Sequence, residues 1–583
     1  MLLENIHSPQ DIKGFSPAQR QELAQQMRTA LLKRASIHGG HVGPDLGFVE
    51  TAIALHTVFN SPTDKFVFDV SHQAYPHKML TGRMQAYIDE AHYDDVSGYT
   101  NPEESPHDFF NVGHTSTSIS LASGLAKARD LMGAKENIIA IIGDGSMSGG
   151  EAFEGLDFLA ELKTNFIVVF NDNDMSIAEN HGGIYQGFKK LRDHNGQTSD
   201  NLFKALGLDY RYVADGHDIE ALIKAFQEVK DIDHPVVVHI HTIKGKGYKY
   251  AEEDRESWHF HMPFDLKTGE MKQPYVDEVG QATASHLLAK MKTDPTLAVI
   301  TSAVPMVFGF YPPQRKEAGA QFVDVGIAEE QGVAMASGIA KRGGHAIYGT
   351  YSTFAQRTYD QMVQDVCVNN NPATFLIFGA SMFALNDVTH LGIFDIPLFA
   401  NIPNLVHLAP TNMPEYFAML DWSIEQNAHP VMIRVPWDGG EELGQGKLQN
   451  YDDLNKYEIV HQGSRVAFIG LGTFYARAHK AAELLKKDGI DATLINPRYI
   501  SGVDEEALEA LKKDHELIIT LEDGSLDGGY GGKVARRFGG TNIKVKSYGL
   551  PKAFYDRYDA NQLARQFHLD PDQIAEDVRQ LLK

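Results

Sequence analysis

The sequence predicts an α/β protein made of three successive parallel-sheet domains. Three observations carry that prediction. Short runs rich in Ile, Val and Phe recur along the chain, each the length of a strand buried on both faces. Helix-patterned stretches separate them, as the crossovers between parallel strands require. At 583 residues, 43% hydrophobic and 22% charged, the chain is long enough for several large cores.

The elements follow in order. Ile138–Ile142 reads as a strand, residues 151–162 as a helix and Phe166–Phe170 as the next strand. Such a βαβ unit presents its ligand-binding loops at the C-terminal ends of the strands. Val236–Ile240 reads as a later strand of the same sheet. The polar stretch Met262–Tyr275, punctuated by Pro263, Gly269 and Pro274, reads as a linker. A second series comprises residues 321–325, 345–348, 374–378, 406–409 and 431–435. A third begins near Tyr457, with strands at 465–469, 492–495, 516–521 and 543–546. The expected domains are therefore 1–275, 276–455 and 456–583.

Composition excludes several function classes. Lys and Arg total 53 against 77 Asp and Glu, a net charge of −24. That balance argues against nucleic-acid partners and anionic membrane surfaces, which need concentrated positive charge. No apolar run approaches the roughly 20 residues that span a bilayer, and Met1–Gln10 lacks the apolar core of a secretory signal. The single cysteine, Cys367, allows no intrachain disulfide and suits a reducing, cytoplasmic setting. A nicotinamide oxidoreductase is set aside for want of a G-x-G-x-x-G after a first strand.

The most specific local signal is Gly143-Asp144-Gly145 at the end of one strand, with Asn171-Asp-Asn-Asp-Met175 at the end of the next. One crossover separates them, so Asp144 and Asn173 emerge side by side on one sheet edge. A carboxylate, an amide oxygen and a nearby main-chain carbonyl are hard oxygen ligands suited to Mg²⁺, whose coordination phosphate oxygens usually complete. Main-chain N–H groups of Gly145 and Ser146 and the helix start near Gly149 suit an anion. A GDG alone is more often a tight turn. Following a buried strand, with Asn after the next, it points to a diphosphate.

These features resemble thiamine diphosphate enzymes, and further blocks narrow the resemblance. Gly39-Gly-His-Val-Gly-Pro44, Asp69-Val-Ser-His-Gln-Ala-Tyr-Pro-His-Lys78, Gly113-His-Thr-Ser-Thr-Ser-Ile-Ser120 and Gly143-Asp-Gly-Ser-Met-Ser-Gly-Gly150 resemble the 1-deoxy-D-xylulose-5-phosphate synthase family. So do Thr242-Ile-Lys-Gly-Lys-Gly-Tyr248, Asp324-Val-Gly-Ile-Ala-Glu329, Tyr351-Ser-Thr-Phe-Ala-Gln-Arg357 and Thr389-His-Leu-Gly-Ile-Phe-Asp395. The blocks occur in family order over nearly the whole chain. The stretch between Ser176 and Val236 is shorter than family members have.

The resemblance implies a transketolase-like fold of diphosphate-binding, pyrimidine-binding and C-terminal domains, and a homodimer. It implies thiamine diphosphate and Mg²⁺ as cofactors, and pyruvate and an aldehyde, glyceraldehyde 3-phosphate in the family, as substrates. Asp144, Asn173 and Met175 are the implied metal ligands. His72, Gly113, His114, Thr115, Gly145, Ser146, Asn173, Lys244, Tyr248, Glu329 and Phe354 are the implied cofactor contacts. Glu329 is implied as the acid beside the aminopyrimidine, with Phe354 stacked on that ring. His41 and His390 are implied in proton transfer, which imidazole suits because its pKa lies near neutrality. Tyr351, Arg357 and His390 are the implied substrate contacts, the guanidinium matching a carboxylate bidentately. Of 26 histidines most are ordinary packing or surface residues, and His38, His77 and His407 are read so.

One region departs from the pattern. Gly379 and Trp437 stand where the family has arginines for the acceptor phosphate, and Asn386 stands where it has an aspartate, with Asp387 adjacent. Each charge-assisted phosphate contact contributes roughly 1.5–3 kcal/mol, so losing two corresponds to about two to four powers of ten. The alternatives are a paralogue joining pyruvate to another aldehyde, a transketolase with a ketose donor, or a catalytically silent binding protein. Tyr351 and Arg357 speak for a keto-acid donor. Intact Asp144, Asn173 and Glu329 speak for catalysis.

Overall fold

The computed structural model describes residues 2–274 and 276–583. The chain forms two compact units, Met1–Val276 with Gly326–Ala328, and Asp277–Val325 with Glu329–Lys583.

The first unit is built on strands β1 (Lys65–Phe68), β2 (Ile138–Gly143), β3 (Phe166–Asp172), β4 (Asp209–Val213) and β5 (Pro235–His241), in the order β1-β2-β3-β5-β4. All pairs are parallel. Side chains alternate across a strand, and both faces here are apolar. Ile139, Ile141, Ile167, Val169, Val236 and Val238 enter one core with the helix Gly43–Val58. Ile138, Ala140, Ile142, Val168, Phe170 and Val237 enter the other with the helix Ser118–Met132. Coverage on both sides is why these strands read as continuous apolar runs.

The second unit carries two sheets. One holds β6 (Leu297–Thr301), β7 (Phe322–Asp324), β8 (His345–Tyr351), β9 (Thr374–Phe378), β10 (Val406–Leu408) and β11 (Val431–Arg434), ordered β10-β11-β9-β8-β6-β7 and parallel throughout. The other holds β12 (Glu458–His461), β13 (Arg465–Gly470), β14 (Thr493–Asn496), β15 (His515–Ser525) and β16 (Lys544–Leu550), ordered β12-β14-β13-β15-β16. Only its edge pair β12–β14 is antiparallel. These two sheets belong to one unit, and buried arginines bridge them, one through an ion pair and one through a main-chain hydrogen bond. Arg498 after β14 donates to Glu415 at 3.0 Å, and Arg434 at the end of β11 donates to the main-chain oxygen of Asp523 on β15.

The expected linker needs correcting. Its one large apolar residue with somewhere to go, Phe264, is fully buried against Trp258 and Tyr248. The Phe264 amide donates to Ser36 O, and Phe264 and Met271 form an antiparallel bridge. Residues 262–274 are thus the folded edge of the first unit; Tyr275 lies outside the described residues. Among the described residues no helix is long and apolar enough to cross a membrane. Cys367 is buried, and burial pushes its thiol up to about 12.

A buried ion pair ties the first unit together. Glu50 accepts from both terminal nitrogens of Arg28 at 2.5 Å and from His217 Nδ1 at 3.0 Å. His217 Nε2 in turn accepts from the Ile243 amide at 2.9 Å, fixing the turn that precedes Lys244. Burial works to raise the Glu50 carboxyl, but His217 and Arg28 outweigh it and hold the group ionised. Glu50→Ala, which strands the Arg28 charge in the core, is expected to lower the unfolding free energy by about 3–5 kcal/mol in urea unfolding. A loss below about 1 kcal/mol, the value of an exposed pair, would contradict that reading.

Candidate functional site

In the first unit the C-terminal ends of β2 and β3 bring Asp144 and Asn173 together as their spacing requires. The Asp144 amide donates to Asn171 O at 3.1 Å, and the Asn173 amide faces Asp144 Oδ1 at 3.4 Å. Met175 follows in a side-chain-capped turn, its amide donating to Asn173 Oδ1 at 3.1 Å. Asp144 is buried, and its carboxyl is pushed up by burial first and by the neighbouring charge of Asp172 second. Asp172 goes the other way. Burial works to raise it, but His239 and Arg192 outweigh that and keep it ionised. The Arg192 guanidinium is bonded to Asp172 and Asp174 rather than to Asp144, so a cation beside the buried Asp144 carboxyl would lower its energy.

The set fits Mg²⁺ in chemistry. Among the described residues no three His, Cys, Asp or Glu side chains cluster to hold a metal. One carboxylate, one amide oxygen and the Met175 carbonyl would hold the ion, with phosphate oxygens left to complete it. The surrounding loops form a cradle. Asp69 accepts the amides of Ser116 and Ser118 at 2.7 and 2.9 Å, fixing the turn after Gly113-His114-Thr115. Ser116 Oγ then donates to Ser146 O at 2.8 Å, joining that turn to the Gly145–Ser148 turn. A side chain at Gly149 would strike Ser116 Oγ at 2.1 Å, and one at Gly145 would meet Ser176 Cα at 3.0 Å.

Lys244 and three imidazoles lie in the same unit. Lys244 is buried, donates to Ser176 O at 2.7 Å, and is lowered to about 7 by burial, the Asp144 charge opposing. A two-residue antiparallel ribbon, Gly40–His41 with Phe260–His261, sets His41 beside His72, ring centroids 5.1 Å apart. His259 completes the cluster, 5.5 Å from His41 and 5.0 Å from His72. Its Nδ1 is buried without a hydrogen-bond partner. Burial first, then the neighbouring imidazoles and Lys244, holds His41 and His259 well below the usual imidazole range, so both are neutral.

Sequence reasoning misses His259. It precedes the expected linker, and only the ribbon beside it, which pairs with Gly40–His41, brings it to this cluster. It also misses Asn180, whose amide donates to Asp144 Oδ2 at 2.6 Å. Conversely, the structure does not bring Tyr248 to this group. Its ring packs against Trp258 and Phe264, and its hydroxyl donates to Leu266 O at 3.1 Å, so the side chain is committed to the core.

In the second unit Glu329 opens the helix Glu329–Arg342 and is buried. Burial raises its carboxyl to about 7, with Arg357 opposing from 3.7 Å. Tyr351 ends β8, and Phe354 and Arg357 follow on two short helical turns. The Phe354 ring stands edge-on to Tyr351 at 5.8 Å and to His390 at 5.7 Å. His390 closes a 3-10 turn, its Nδ1 2.8 Å from Thr389 Oγ1. Glu329, Tyr351, Phe354, Arg357 and His390 therefore lie on consecutive strand-end loops of one sheet.

The departing positions have physical counterparts. Gly379 has φ +62°, and a side chain there would press on Tyr351 at 3.0 Å, so an arginine would need both strained backbone and displaced packing. Arg434 cannot substitute, since Asp395 and the Asp523 carbonyl hold it within the protein. The three histidines read as packing or surface residues are that. His38 pairs with Asp94 at the surface, His77 is buried between His56 and Asp108, and His407 is fully buried and lowered to about 3 by burial.

Comparison with known proteins gives the following. The model of 1-deoxy-D-xylulose-5-phosphate synthase matches residues 3–199 and 194–242. That of the transketolase pyrimidine-binding domain matches 278–438, and that of the transketolase C-terminal domain matches 455–574. A 1-deoxy-D-xylulose-5-phosphate synthase of Chlorobaculum tepidum is 35% identical over 630 aligned positions, covering 100% of this chain and 98% of its own. One of Shouchella clausii is 36% identical, covering 100% and 99%. Among solved structures, a transketolase of Pichia stipitis aligns over 96% of this chain and 97% of its own at 16% identity and a TM-score of 0.44.

Proposed function

The chain belongs to the 1-deoxy-D-xylulose-5-phosphate synthase family, and from that premise we propose how its residues divide the reaction. The activity is a thiamine diphosphate-dependent transfer of the 1-deoxy-D-xylulose-5-phosphate synthase type. Pyruvate loses CO₂ and its remaining two carbons join glyceraldehyde 3-phosphate. When bound, thiamine diphosphate supplies the nucleophilic carbon and the electron sink for decarboxylation.

Asp144, Asn173 and the Met175 carbonyl would hold Mg²⁺ against the diphosphate, with Gly113, His114, Thr115, Gly145, Ser146, His72 and Lys244 around it. Glu329, its proton retained to about neutral pH, would donate a hydrogen bond to the aminopyrimidine, and Phe354 would pack on that ring. Arg357 and Tyr351 would orient the pyruvate carboxylate. Neutral His41 is fit to accept a proton, and the His390 imidazole would serve proton transfer beside it. Two copies of the chain would form a homodimer. The observation carrying this reading is the buried Asp144 carboxyl beside Asn173, an arrangement that calls for a cation.

The test is CO₂ release from pyruvate with Mg²⁺ and thiamine diphosphate, comparing glyceraldehyde 3-phosphate with glyceraldehyde. The phosphorylated aldehyde is expected to accelerate turnover more. Equal acceleration would remove the phosphate from acceptor recognition, and no release with either would overturn the keto-acid donor.

A further inference from the structure

We propose that Asp523, on β15 of the C-terminal sheet, is a positioning residue for His390, acting through the loop that presents this histidine. The inference rests on the assignment of His390 to the reaction.

The chain leaves β9 at Phe378 and reaches the helix Asp395–Phe399 with only the 3-10 turn Val388–His390 between. A loop of this length lacks ladder bonds of its own and needs outside partners to hold one conformation. The strand β15 and the segment that follows β16 supply them on both arms. On the first arm the Met382 amide donates to Asp523 Oδ1 at 2.9 Å, and Tyr558 Oη donates to Met382 O at 2.8 Å. At the tip, Asn386 Nδ2 donates to Tyr558 O at 3.0 Å, its carbonyl accepts the Arg557 amide at 2.7 Å, and the Val388 amide donates to Asp556 at 3.0 Å. On the return arm the Ser525 amide donates to Ile393 O at 3.0 Å.

Asp523 is buried, 1% exposed, and is the carboxylate of this set that is closed off from solvent. Arg434 donates to its main-chain oxygen and, through Nε, to Asp395 at 2.8 Å. Burial works to raise the Asp523 carboxyl, and the Arg434 charge, the Met382 amide and the Ser381 side chain oppose it. The loop is further confined because a side chain at Gly392 would collide with Gly379 O at 1.9 Å. The acidic residue therefore fixes the first arm at Met382, the packing of Gly392 on Gly379 transmits that to the second arm, and His390 lies between.

The test compares Asp523→Ala, Asp523→Asn and Tyr558→Phe in the native and His390→Ala backgrounds of the full chain, with thiamine diphosphate and Mg²⁺. Asp523→Ala is expected to lower kcat about 10–100-fold, the range for outer groups that orient a reacting one, while thiamine diphosphate affinity stays within about twofold. Asp523→Asn, which still offers Met382 an oxygen, is expected to restore most of the rate. In the His390→Ala background the same Asp523→Ala change is expected to cost less than about twofold, because coupled residues are not additive.

Equal losses in both backgrounds would overturn the proposal and leave Asp523 a structural residue. Should Asp523→Ala not fold, Tyr558→Phe is expected to cost about 2–10-fold in the native background and nothing with His390→Ala; equal costs would again overturn it. If His390→Ala alone leaves kcat unchanged, the reading of His390 falls and the proposal with it.

Discussion

Glu329→Gln is expected to lower turnover by about 10²–10⁴-fold, the range lost when a positioned acid is removed, while cofactor and metal affinity stay within a few-fold. Glutamine keeps the shape and a hydrogen-bond donor but cannot release and regain a proton. The structure supplies the reason the native acid can. Burial holds its proton up to about 7, and Arg357 at 3.7 Å keeps it from rising further. The sign for pH follows. The protonated form is full below that value and is lost as pH rises through it, so the native enzyme should show a falling alkaline limb. Glu329→Gln should flatten that limb. CO₂ release from pyruvate, with cofactor titration on the same samples, separates the two effects. Turnover within a few-fold of native would remove Glu329 from the chemistry.

Asp144→Ala is expected to act at the other end of the cofactor. Outer groups around a metal typically cost 10–100-fold in affinity or activity when removed, so a direct ligand should cost at least about a hundredfold. Mn²⁺ or Mg²⁺ titration should show the loss without any turnover, and added Mg²⁺ should fail to restore saturation by thiamine diphosphate. Asn180→Ala is the companion variant. Its amide holds Asp144 Oδ2 at 2.6 Å, so it should weaken metal binding about 10–100-fold without abolishing it. Native-like metal affinity in Asp144→Ala would remove the cation from this sheet edge.

How much of this was legible from residue order depends on range. Runs such as Ile138–Ile142 reveal strands because both sheet faces are covered and no polar position interrupts them. Asp144 and Asn173 were legible for the same reason, since two neighbouring parallel strands force their end loops together. Lys65–Phe68 and Asp209–Val213 are too short or too mixed to announce themselves, and only pairing with longer neighbours makes them strands. Tyr248 shows the opposite failure, a motif residue on a glycine-punctuated loop whose ring is captured by Trp258. His259 meets His41 and His72, and Asp523 meets Met382, across more than a hundred positions of chain. Residue types and spacing carry no record of those contacts.

Cys367 has a practical consequence. A thiol pushed up to about 12 presents almost no thiolate at neutral pH, and thiolate is the form that reacts. Maleimide dyes or spin labels could be attached at engineered surface positions against a silent background. The loop that presents His390 and the C-terminal sheet could then be tracked by distance spectroscopy in an otherwise native chain.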